Sequence, residues 1–75
     1  MAKSELRFLS EEMGMSLGDV GFMLWMNDTK EIQRVLVKIL EEERELKKTN
    51  DIRFNPERQD MAEVILADLI AQAIS

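Results

Sequence analysis

Apolar side chains recur three and four positions apart along most of this chain, and no stretch alternates in the manner of a strand. The first helical segment runs from about Ser4 to Met13. It places Leu6, Leu9 and Met13 at helical spacing with Phe8 on an adjoining edge, and Gly14 behind it suits a left-handed turn. A second helix begins at Ser16, where "SLGD" is a capping-box pattern. The Ser16 hydroxyl can accept the Asp19 amide proton while the Asp19 carboxylate reaches back to the Ser16 backbone. Val20, Met23 and Leu24, joined by Trp25 if the face is wide, form its predicted buried side.

Asn27 can end that helix, and Asp28, with Glu31 three residues on, can cap the next. The third helix is the longest, with Ile32, Val35, Leu36, Ile39, Leu40 and Leu46 in one stripe and "EEERELKK" continuing it with charge. Lys47 and Lys48 near its end suit the negative pole of the helix dipole. After the short connector "TNDIRF", Asn55 as N-cap, Pro56 at the first helical position and Glu57 in the first turn start a fourth helix. It carries Met61, Val64, Ile65, Leu66, Leu69, Ile70 and Ile74, which cover much more than one stripe. Such a helix must bury two faces. The expected arrangement packs one face internally and the other against a partner, with Leu36, Ile39, Leu66, Leu69 and Ile70 forming a homodimer interface through the third and fourth helices.

Length and composition narrow this to an all-α fold, a small four-helix domain spanning residues 1–75. Seventy-five residues with 45% apolar composition support one modest core. Chains of this size are usually reinforced by disulfides, a structural metal or oligomerisation. With no cysteine and no histidine, self-association is the reinforcement left. No apolar run approaches the roughly 18 residues of a membrane span, and "MAKSELRFL" has no signal-peptide core. The chain therefore reads as soluble, untargeted and cytoplasmic, with no membrane partner.

Ten basic against fifteen acidic residues give a net charge of −5, a sign that opposes general attraction to nucleic acid. Residues 1–27 carry two basic and four acidic groups, residues 28–54 seven of each, and residues 55–75 one and four. Any basic face must come from the middle third.

One segment has the cadence of a functional motif. "FLSEEMGMSLGDVGFMLW" contains an apolar residue (Leu9) and a small one (Ser10) in a first helix, then Met13, a turn glycine (Gly14) and apolar Met15. Leu17, Val20 and Met23 follow on the inward side of a second helix. Residues 6–25 resemble the helix-turn-helix of bacterial and phage repressors, in which two helices meet steeply across a short glycine turn. The resemblance implies a DNA-binding regulator whose Ser16 enters the major groove while Lys3, Arg7, Lys30 and Arg34 touch phosphates. The positions it would turn towards DNA are Ser16, Gly18, Asp19 and Phe22, with Gly21 as a further candidate. None is Arg, Lys, Asn or Gln, the side chains suited to base edges.

The same segment suits protein contact. Gly18 and Gly21, each costing about 1 kcal/mol relative to Ala in a helix, leave a groove for another backbone, with Phe22 as an aromatic anchor beside them. Met13, Met15, Met23 and Met26 cluster nearby, and methionine makes adaptable surfaces. Met15, Gly18, Phe22, Trp25 and Met26 are the candidate partner-binding residues.

Catalysis has little to draw on. Histidine is absent, no phosphate loop or calcium-loop spacing occurs, and Glu41, Glu42 and Glu43 fan about 100° apart around a helix. Those glutamates read as solvated surface, with Glu43 and Lys47 as an i, i+4 pair. The expectation is a non-enzymatic regulatory or adaptor protein without cofactor or metal, acting on a protein partner. The alternatives are a DNA-binding transcriptional regulator and a structural subunit of a larger assembly.

Overall fold

The computed structural model describes residues 1–74, which form four helices and no strand: α1 (Lys3–Met13), α2 (Leu17–Trp25), α3 (Lys30–Lys48) and α4 (Pro56–Ile74). The chain divides into two compact units, Met1–Val35 and Leu36–Ser75, with the boundary inside α3. Among the described residues, no helix is long and apolar enough to cross a membrane.

The helix ends follow from local chemistry. Ala2 flanks α1, and its backbone N–H donates to the Glu5 carboxylate at 2.9 Å. Gly14 ends α1 in the left-handed conformation (φ 64°, ψ 34°), where a side chain would be strained. Ser16 caps α2 through one half of the expected box, its hydroxyl accepting from the Asp19 N–H at 3.1 Å. Asn27 and Asn50 take the left-handed positions after α2 and α3 (φ 61° and 57°), which asparagine tolerates better than most side chains. The start of α3 differs from expectation by one residue. Thr29 carries the first helical carbonyl, accepting from Gln33 N–H at 2.9 Å, and its hydroxyl accepts from the Gln33 side chain. Asp28 instead belongs to the end of α2, its N–H donating to Met23 at 2.9 Å.

In the first unit α1 and α2 pack on each other, and Leu9, Val20 and Ile32 are the fully buried side chains. In the second, Leu36, Ile39, Ala62, Ile65 and Leu69 are buried. Three expected homodimer residues, Leu36, Ile39 and Leu69, are thus corrected to interior positions: each is at most 3% exposed and cannot meet a second chain without opening the fold. Leu66 is half-buried, and Ile70 is exposed.

Glu43 is a further correction. Instead of lying on a solvated surface beside Lys47, it is 2% exposed. One carboxylate oxygen accepts from the Asn55 backbone N–H at 2.7 Å and the other from Arg58 at 2.6 Å. A buried carboxylate is tolerated only when paired and hydrogen-bonded, and here both oxygens are. Lys47 lies with Nζ 5.9 Å from the centre of the Phe54 ring. The connector between α3 and α4 is thereby held from both sides, and Asn55 caps α4 by accepting from the Arg58 N–H at 3.1 Å.

A candidate interaction surface on α2

The turn that sets α2 against α1 is closed by two bonds around Ser10. Its carbonyl accepts the Met15 N–H at 3.1 Å, and its hydroxyl donates to the Met15 carbonyl. A small side chain at position 10 lets the returning chain come this close. The resulting rotation of α2 decides which of its residues are hidden.

Val20 is the buried residue of α2, with Met23 and Leu24 half-buried beside it. At 100° per residue, Gly18, Phe22 and Trp25 lie on the opposite side, one turn apart in succession. Phe22 is 60% exposed, Trp25 78% and Met26 56%. Trp25 is therefore no part of a wide buried face. The Phe22 and Trp25 rings stand 6.1 Å apart at 43°, within the range of favourable aromatic pairs. Met15 is half-buried, so four of the five candidate partner-binding residues, Gly18, Phe22, Trp25 and Met26, present themselves fully.

The two glycines that precede Phe22 serve no internal packing. A Cβ added at Gly21 would meet nothing within 4 Å, and one at Gly18 only the Ser16 hydroxyl at 3.9 Å. Both are helical, so each weakens α2 by about 1 kcal/mol relative to alanine without relieving any internal crowding.

The basic residues implied by the repressor resemblance are exposed but none is on α2. Lys3 and Arg7 lie on α1, and Lys30 and Arg34 on α3. Arg34 pairs with Glu31 at 3.0 Å, and the Ser16 hydroxyl is engaged in capping.

A second apolar surface runs along α4, where Val64, Ile70 and Ile74 are 57%, 49% and 82% exposed. Val64 and Ile74 were not among the expected interface residues, although the breadth of apolar positions on this helix signalled a second face. The Glu43 to Arg58 pair was also missed. Its signal was register: Glu43 falls at i+11 from Ile32, in line with Leu36 and Ile39, and i+11 is three full turns.

Among the described residues no group of three or more acidic side chains could hold a metal ion. In the α3 to α4 connector, the Arg53 side chain donates to Asp51 at 2.8 and 3.0 Å. That bond first, and the Arg53 backbone N–H second, pull the Asp51 carboxyl down to a pKa of about 2. The same contact raises the Arg53 pKa. This pair staples the α3 to α4 connector.

No protein-family model, no curated protein and no solved structure matches this chain significantly.

Proposed function

We propose that this chain is a non-enzymatic regulatory or adaptor protein that binds another protein through the exposed face of α2. The observation carrying this reading is the exposure of Phe22 and Trp25 beside two helical glycines that no internal contact requires. Large aromatics are the side chains most enriched at the energetic centres of protein interfaces. Glycines on the same face let a partner backbone approach closely, which offsets their cost to the helix only in the complex. The remaining apolar exposure, along α4 at Val64, Ile70 and Ile74, supports self-association into a homodimer through that helix, with Ile70 the residue in common with the sequence expectation.

Sequence-specific DNA binding is the second reading, favoured by the tight Ser10, Gly14 and Met15 corner between α1 and α2. Against it, α2 offers Gly18, Asp19, Phe22 and Trp25 outward, and Asp19 would face phosphate with the wrong sign.

Anisotropy with mixed-sequence duplex DNA at low and moderate salt, alongside affinity capture with wild-type and Phe22→Ala protein, separates the readings. Protein binding predicts no DNA affinity and partners lost from the variant. Tight, salt-sensitive DNA binding that survives Phe22→Ala overturns it.

A further inference from the structure

The α2 face sits in the longest part of the chain that has no positive charge. From Phe8 to Thr29 there is no Lys or Arg, while Glu11, Glu12, Asp19 and Asp28 fall within that span. Two of these carboxylates are held at the ends of the face. Asp19 lies in the first turn of α2, its N–H bonded to Ser16, and on the helical wheel it adjoins Phe22 and Met26. Asp28 is tied to the last turn by its N–H bond to the Met23 carbonyl. Both are exposed; Asp19 has no Lys or Arg within ten residues on either side, while Lys30 follows Asp28 by two. Between them lie eight residues, of which the six from Val20 to Trp25 are helical, a rise of about 9 Å.

Resting on the protein-binding reading above, we infer that the partner element is an amphipathic helix whose apolar stripe meets Gly18, Phe22, Trp25 and Met26 and whose Lys or Arg residues flank that stripe to reach Asp19 and Asp28. An apolar helix laid along a surface is read through residues one turn apart, which matches the spacing of Gly18, Phe22 and Trp25. The glycines provide the shallow line in which such a helix lies close. Met26 at the edge adapts to side chains of different shape. Acidic ends on an apolar strip select for cationic flanks and against acidic ones, because like charges brought together at an interface cost more than opposite charges return. Nucleic acid is disfavoured by the same carboxylates. An anionic lipid surface is disfavoured for the same reason.

The chain contains one tryptophan, and it is on this face. Its emission reports occupancy directly if the probe has no aromatic residues. Two probes are synthetic helices of about 18 residues, five turns, with an identical leucine and alanine stripe flanked in one by lysine and in the other by glutamate. The lysine-flanked helix is expected to shift Trp25 emission to the blue, saturably, with an affinity that falls as salt rises. The glutamate-flanked helix should bind at least roughly tenfold more weakly. Asp19→Asn combined with Asp28→Asn, folded by circular dichroism, should lose most of that preference, and Phe22→Ala should weaken both probes.

Equal binding of the two probes overturns the charge selection and leaves the protein-binding face standing. A shift with neither probe overturns the helical partner, and the affinity capture described above then decides the broader reading independently. Emission that moves on concentrating the protein alone assigns the face to a second copy. Movement with phosphatidylcholine vesicles assigns it to lipid. Each of these last outcomes also overturns the inference.

Discussion

Glu43, buried on α3, accepts a 2.6 Å charge-assisted bond from Arg58 in the first turn of α4, fifteen positions later in the chain. With the 2.7 Å bond from the Asn55 N–H to the other carboxylate oxygen, this pair brings the start of α4 onto α3. Arg58 also approaches Glu42 at 3.6 Å, but Glu42 is half exposed and contributes less. Removing a partner from a buried pair costs more than the pair gained in forming, because the remaining charge keeps its desolvation cost.

Arg58→Ala is therefore expected to destabilise the fold by about 3 kcal/mol. Glu43→Ala combined with Arg58→Ala should cost much less than the sum of the two single changes. Urea denaturation of the four proteins in a double-mutant cycle reads the coupling, and strict additivity would show that the pair does not hold α4 in place.

The α2 glycines give an effect of opposite sign. Gly21→Ala should raise stability by about 0.5–1 kcal/mol, since alanine is the better helix former and its Cβ enters open space. The same variant should bind a partner less well. A destabilised Gly21→Ala protein would mean that the position is crowded internally.

Exposure sets contrasting expectations for two large side chains. Phe22→Ala should change the unfolding free energy by no more than about 0.5 kcal/mol, while Leu9→Ala, at a fully buried site, should cost about 2–5 kcal/mol. Thermal melts of the two variants test this directly.

Aspartate substitutions on α4 distinguish interior from interface. Leu69→Asp should unfold the protein, because Leu69 is 3% exposed and a lone buried charge has no compensation. Ile70→Asp should keep the fold. If α4 forms the homodimer, Ile70→Asp also halves the mass seen by sedimentation, and an unchanged dimer would place that interface elsewhere.

The Asp51 staple carries a pH dependence. Its carboxyl titrates at about 2 in the folded chain against an ordinary 3.8, so its contribution is present above the ordinary value and is lost as pH falls through about 2. NMR titration of the Asp51 side chain should give the low midpoint, and Arg53→Ala should return it towards the ordinary carboxylate range.

Much of the fold was legible in the order of residues. Helix periodicity, the Ser16 and Asn55 caps, the Gly14 turn and the Asn27 stop are local features, satisfied within one or two turns of chain, and the helices end where they indicate. Thr29 displaced Asp28 as the α3 cap because both can cap and only the path of the chain out of α2 decides between them.

Burial was another matter. Leu69 and Ile70 are adjacent apolar residues on one helix, and Glu43 and Lys47 are charged residues on one face in sequence. Yet Leu69 and Glu43 are interior while Ile70 and Lys47 are exposed. By itself, the sequence determined that this chain makes four helices, where they start and stop, and that α4 has more apolar surface than one face can use. Only the tertiary structure decided which face of each helix is hidden, that Glu43 meets Arg58, and that Phe22 and Trp25 are left outside. Helix formation is settled by bonds to residues three and four positions away, whereas burial depends on what packs from elsewhere in the chain.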